Sequence, residues 1–205
     1  MQIINQDTIS IAQIVEELKK GSVIVYPTET TYGLGCRMTD AAAVSRIFDI
    51  KQRQQEKSVL VVADDIAVIK EYVVWNPLLE DLAEKYWPGP LTIVAHVRDE
   101  KIEKLPDGVV GPQDTLAFRV TSHPLAHDIA HDLGEPLVST SANIASMDSP
   151  YDITDVIAMF EGQEYQPDII VDGGVLPHQP ASTIVRVTDG FVEVLRQGEV
   201  IVSEQ

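Results

Sequence analysis

The chain has 205 residues, 44% of them hydrophobic, with 15 basic against 32 acidic side chains and a net charge of −17. Length and apolar content suit one domain with a full core, so a single domain is expected over 1–205. The negative charge repels nucleic acid and anionic membranes at long range, so any basic cluster has to act locally.

Residues 1–7 carry no basic stretch followed by an apolar one, and no apolar run approaches the ~20 residues of a membrane span. A cytoplasmic location without membrane attachment is expected. Ser10 can cap a first helix with Gln13 as its capping-box partner, and Ile11, Ile14, Val15 and Leu18 share one face. Gly21 suits the stop after it. Residues 22–26 read as a buried strand that runs into the polar, hydroxyl-rich loop 26–35, and Cys36 behind it reads as a small buried hydrophobe. One cysteine excludes an internal disulfide framework and fits a reducing compartment. Asp40 can cap a second helix with Val44, Ile47 and Phe48 on its apolar face.

Further on, 58–63 reads as a strand, 65–73 as a short helix and 77–86 as a helix with Pro77 in its first turn. Leu78, Leu79, Leu82 and Tyr86 face inward, and Trp87-Pro88-Gly89-Pro90 ends the helix abruptly. Strands are expected at 91–97 and 115–120, separated by a polar, proline-bearing stretch at 98–114. Ser122 can cap a helix that runs to Leu133 and closes at Gly134. A short strand at 137–139, a loop at 144–151, a helix at 152–160 and strands at 168–171, 182–187 and 191–195 complete the pattern. Helices alternating with apolar strands imply an α/β chain built on a mixed, twisted sheet flanked by helices.

Four features carry potential chemistry. Lys51-Gln52-Arg53-Gln54-Gln55-Glu56-Lys57 places three cations in seven residues, enough to surround phosphate or carboxylate oxygens or simply to offset a helix dipole. Ser139-Thr140-Ser141-Ala142-Asn143 sets three hydroxyls and an amide at a strand end, either a cradle for phosphate or ribose or a plain turn. Arg119 interrupts the apolar strand 115–120, where it needs an internal carboxylate or a bound anion, and Thr115 shares its face. His123, His127 and His131 recur every four residues on one helix. Such spacing can share a metal, and it also arises on the polar outer face of an amphipathic helix. Phosphate-binding GxxxxGK[ST] and dinucleotide GxGxxG stretches are absent from the sequence, so a nucleotide has to bind by other means.

These pieces together resemble the YrdC/TsaC family of threonylcarbamoyl-AMP synthases. The matching stretches are YPTETTYGLG at 26–35, KQRQQEK at 51–57, WPGPLT at 87–92, TLAFRV at 115–120, STSAN at 139–143, ASTIVRV at 181–187 and Leu195-Arg196-Gln197-Gly198. The resemblance implies an α/β (α+β) YrdC-like domain. It implies a nucleotidyltransferase that joins L-threonine, bicarbonate or CO2 and ATP into threonylcarbamoyl-AMP and pyrophosphate, for threonylcarbamoyladenosine modification of tRNA. By that likeness Lys51 and Arg53 are the catalytic ATP contacts, with Thr115, Ser141, Asn143, Ser149 and Arg196 also at ATP. Thr28, Lys57, Arg119, Ser139 and Ser182 match positions around threonine, Arg119 holding its carboxylate. No residue metal site is implied, and Mg²⁺ is expected to come with ATP. No dedicated general base stands out, so positioning and charge compensation are expected to supply most of the catalysis.

The chain departs from the family pattern in Ile144-Ala145-Ser146-Met147, where Ser-Gly is usual, and in Gln54 and Ser58, where prolines are frequent. It resembles the short form that ends soon after Arg196. A downstream partner, the tRNA threonylcarbamoyl transferase machinery, is expected. The competing reading is a double-stranded RNA- or tRNA-binding paralogue without synthesis, which the −17 charge disfavours. A carbamoyl-transfer enzyme of the hydrogenase-maturation kind is a third, opposed by the lack of additional domains.

Overall fold

The structure is a computed structural model that describes residues 1–53, 58–188 and 190–203. Its strands form two mixed sheets. The first runs β1 (Gln2–Asn5), β9 (Ile169–Asp172), β2 (Ile24–Pro27), β3 (Tyr32–Gly35), β8 (Thr140–Ser141). The second runs β11 (Phe191–Arg196), β10 (Thr183–Thr188), β5 (Leu91–His96), β6 (Thr115–Val120), β4 (Leu60–Ala63), β7 (Leu137–Val138). The α/β reading with helices on mixed strands holds, and the strands divide between two sheets where one was expected.

Ser139 is where they meet. The chain leaves β7 in one sheet and enters β8 in the other, so the expected strand 137–139 is two short ones. Val138 N–H donates to Cys36 O at 2.9 Å, Ser139 N–H to Leu60 O at 2.9 Å and Ala142 N–H to Tyr32 O at 2.9 Å. Those bonds stitch the strap 137–143 to both sheets. Gly35 permits the approach, since a Cβ there would stand 2.2 Å from the Val138 carbonyl oxygen.

The helices follow their caps and apolar faces. Helix α1 (Ile11–Lys19) buries Ile14, Val15 and Leu18 against Ala126, Ile129 and Leu133 of α6 (Pro124–Leu133). Helix α2 (Ala41–Lys51) starts where Asp40 accepts the Ala43 N–H at 3.0 Å, and it buries Val44, Ile47 and Phe48. Helix α3 (Ile66–Lys70) is capped by Asp65, α4 (Pro77–Tyr86) by Asn76 and α7 (Ile153–Phe160) by Asp152. The larger core gathers Val25, Leu34, Val61, Ile93, Phe118 and Val185 from both sheets, and Cys36 is fully buried as expected.

Four local expectations change. Ser10 occupies the N-cap, but its side chain makes no capping bond. Helix α6 begins at Pro124 with His123 as N-cap, and Thr121 Oγ1, not Ser122, accepts the His123 N–H at 3.2 Å. Only 28–31 of the expected loop 26–35 is a turn, because Tyr32–Gly35 returns as β3 antiparallel to β2. The stretch 98–114 contains a short helix, α5 (Asp99–Ile102). Strand β1, mostly exposed at a sheet edge, lacks the alternation that would have announced it.

Candidate active site

Between the two sheets lies a cavity of about 270 Å³. The β2–β3 turn gives Thr28, Thr30 and Thr31, the strap gives Ser139, Thr140 and Ser141, and the second sheet gives Thr92, Ala117, Arg119 and Ile184. Arg53, Ser149, Ser182 and Arg196 also line it. The hydroxyl loops and most of the basic groups picked out in the sequence therefore meet in one place.

Strand alternation explains Arg119. Leu116, Phe118 and Val120 face the core, leaving Ala117 and Arg119 toward the cavity. Arg119 is 3% exposed, and its Nε lies 2.8 Å from Glu29 Oε1. The N–H is not aligned on that oxygen, so the contact is an ion pair and not a hydrogen bond. Glu29 Oε2 accepts the Thr121 hydroxyl at 2.7 Å. Of the two sequence alternatives for Arg119 the internal carboxylate is the one present, and the residue also borders the cavity. Glu29 was missed as a functional residue, although it is the one acid in the stretch 26–35.

Two further guanidiniums border the cavity without such a partner. Arg196 donates through Nη2 to Ser182 O at 2.8 Å and Oγ at 3.2 Å. Burial lowers its pKa, and the positive charge of Arg119 adds to that. Arg53 donates to Ser58 O at 3.3 Å, and burial lowers its pKa too. Among the described residues neither arginine pairs with a carboxylate. An unbalanced, partly desolvated guanidinium is a ready receptor for carboxylate or phosphate.

Lys51 is placed differently. It is 3% exposed and does not line the cavity. Its ammonium donates to Ser141 O, to Asn143 O at 2.9 Å and to Asn143 Oδ1 at 2.9 Å, from behind the strap. Ser141 Oγ donates to the same Oδ1 at 2.6 Å. Burial pushes the Lys51 pKa down to about 7, with Arg53 adding to the effect. Three oxygen acceptors pull the other way, since only the ammonium has three protons to give. Asn143 and Thr115 also stand outside the lining. Thr115 keeps the face expected of it, but its hydroxyl is donated to Pro112 O at 2.9 Å.

Thr28 does line the cavity, with its hydroxyl used by its own turn: it donates to Thr31 O at 2.6 Å and accepts the Thr30 and Thr31 N–H groups at 3.2 Å. Lys57 lies outside the described residues, as do Gln54, Gln55 and Glu56. The α6 histidines lie away from the cavity. His127 and His131 are exposed, and His131 Nδ1 is 2.9 Å from Asp64 Oδ2. Among the described residues no three His, Cys, Asp or Glu side chains converge as a metal site.

The family model Sua5/YciO/YrdC, described as Telomere recombination, matches residues 16–198. A threonylcarbamoyl-AMP synthase of Klebsiella pneumoniae is 36% identical over 192 residues, covering 92% of this chain and 96% of the relative. The solved structure of P. abyssi Sua5 complexed with L-threonine superposes with a TM-score of 0.86 at 30% identity, covering 97% of this chain and 58% of that one. This chain therefore spans a little over half the length of that Sua5. E. coli YciO superposes with a TM-score of 0.82 at 30% identity, covering 96% and 94%. The chain belongs to the Sua5/YciO/YrdC family.

Proposed function

We propose that this family member is a threonylcarbamoyl-AMP synthase, as its relatives of 36–38% identity are named. One observation carries the reading: Arg53, Arg119 and Arg196 converge on a single hydroxyl-lined cavity, and only Arg119 has a carboxylate partner among the described residues. The reaction brings an anionic nucleophile to an anionic triphosphate, which demands such compensation.

Arg119 holds the threonine carboxylate by the edge that Glu29 leaves open, with Ser139 and Ser182 beside it. Arg53 and Arg196 face the phosphates together with Ser141 and Ser149. Lys51 and Asn143 fix the strap that presents Ser141. Mg²⁺ enters as part of the MgATP substrate, its ligands being phosphate oxygens and water. Threonine carboxylated on nitrogen attacks the α-phosphorus through a carbamate oxygen. The new P–O bond forms as the bond to pyrophosphate breaks, and pyrophosphate leaves with the electron pair. The product is a mixed anhydride that a partner transferase consumes in modifying tRNA. A cytoplasmic setting suits that chemistry.

Direct RNA binding finds little support on the surface. Among the described residues seven Lys and Arg side chains pair with carboxylates: Lys20, Arg37, Arg46, Lys70, Arg98, Arg119 and Arg186. The test is pyrophosphate release from ATP, bicarbonate and Mg²⁺ with and without L-threonine, with the adenylate identified by mass spectrometry. Threonine-dependent release is expected. Its absence in folded protein overturns the reading, and an RNA titration across salt then tests the paralogue.

A further inference from the structure

We infer that Thr92 is a positioning residue that fixes the Ser182 hydroxyl as a hydrogen-bond donor toward the ligand. This rests on the synthase reading and extends it to a residue with no role so far. Thr92 of β5 stands opposite Ile184 of β10 in parallel register, and Ser182, two residues before Ile184, shares that face. The side chains meet there: Thr92 Oγ1 and Ser182 Oγ are 2.9 Å apart. Thr92 is fully buried and Ser182 is 2% exposed, yet both border the cavity.

The protons settle what this pair offers. Arg196 can only donate, so its Nη2, 3.2 Å from Ser182 Oγ, fills one acceptor site of that hydroxyl. Two hydroxyls carry two protons, and the bond between them uses one. Thr92 donates to Ser182 Oγ and fills the other acceptor site of that hydroxyl, so the Ser182 proton points to the cavity. That leaves the Ser182 hydroxyl as a donor only toward the ligand, both of its acceptor sites being filled from within the protein. A carboxylate oxygen does satisfy it, and Arg119 and Arg196 set the surrounding charge for such an anion. A buried donor left without a partner is costly, which favours a ligand that brings an acceptor to Ser182.

The test is titration calorimetry of L-threonine and, separately, of ATP against the parent protein, Thr92→Val and Thr92→Ser. Valine keeps the shape and removes the hydroxyl, whereas serine keeps the hydroxyl. Thr92→Val is expected to weaken L-threonine binding about fivefold, the size of one neutral hydrogen bond, with ATP binding within about twofold and Thr92→Ser close to the parent. Equal threonine affinity in parent and Thr92→Val overturns the inference. So does a parallel loss for threonine and ATP, or a failure of serine to restore binding, since either marks Thr92 as packing alone. A parent that binds no L-threonine instead overturns the synthase reading, and this inference with it.

Discussion

Replacing Glu29 with glutamine isolates the charge of the Arg119 pair. Glu29→Gln keeps an oxygen to accept the Thr121 hydroxyl now bound at 2.7 Å, but removes the anion 2.8 Å from Arg119 Nε. The side chains are 4% and 11% exposed, so little solvent compensates the stranded guanidinium. Removing one partner of a buried pair costs about 3–5 kcal/mol, and the adjoining cavity admits some water, so the low end, about 3 kcal/mol, applies. For a chain of this size that lowers Tm by about 6–12 °C. On the proposed function L-threonine brings a carboxylate to the same arginine, so saturating threonine should narrow the gap between variant and parent. The assay is thermal unfolding by circular dichroism with and without L-threonine. A variant that melts within about 1 °C of the parent would show that the pair carries no such energy. A gap unchanged by threonine would separate Arg119 from the substrate carboxylate.

Above its folded pKa of about 7 Lys51 keeps two N–H donors for the strap, so at pH 9 Lys51→Met should lose about 2 kcal/mol in urea unfolding, an unchanged midpoint counting against the strap role. The same variant tests the titration. The folded pKa of about 7 lies below the usual lysine value of 10.5, so the unfolded chain holds the extra proton between those values. Stability from this group therefore rises with pH by about 1.4 kcal/mol per unit across that window, and is lowest below pH 7. Subtracting the Lys51→Met pH profile from the parent's should give that slope, and a flat difference would contradict it. Gly35→Ala forces a methyl to 2.2 Å from Val138 O and 2.9 Å from Tyr26 Cε1, and should cost more than about 2 kcal/mol in a denaturant titration. A neutral result would mean that β3 and the strap separate freely.

Local structure was legible wherever a short stretch determines it. The cap at Asp40, the first-turn Pro77 and the left-handed Gly134 at φ 74° mark helix ends through bonds within a few residues. Strand 115–120 agreed to the residue because its alternation separates Phe118 from Arg119. Pairing between distant strands left no such trace. β7 and β8 are two residues each, and their membership of different sheets depends on bonds to Cys36, Leu60 and Tyr32. The site residues were readable as types and not as directions. Arg53, Ser139, Ser141, Ser149, Ser182 and Arg196 came together, whereas Lys51 turned its three protons onto the strap. Glu29 and Thr92 went unnoticed because their meaning lies in the partners 2.8–2.9 Å away, Arg119 and Ser182.

The central claim is a division of labour among the cavity arginines, and kinetics of pyrophosphate release on Arg119→Ala beside Arg53→Ala tests it most directly. Truncating one partner of a buried charged contact costs at least about 2 kcal/mol, or roughly 30-fold. The account predicts that Arg119→Ala raises the KM for L-threonine by about that factor with the KM for ATP little changed, and that Arg53→Ala does the reverse, in proteins whose circular dichroism matches the parent. Equal losses for both substrates in both variants would contradict it.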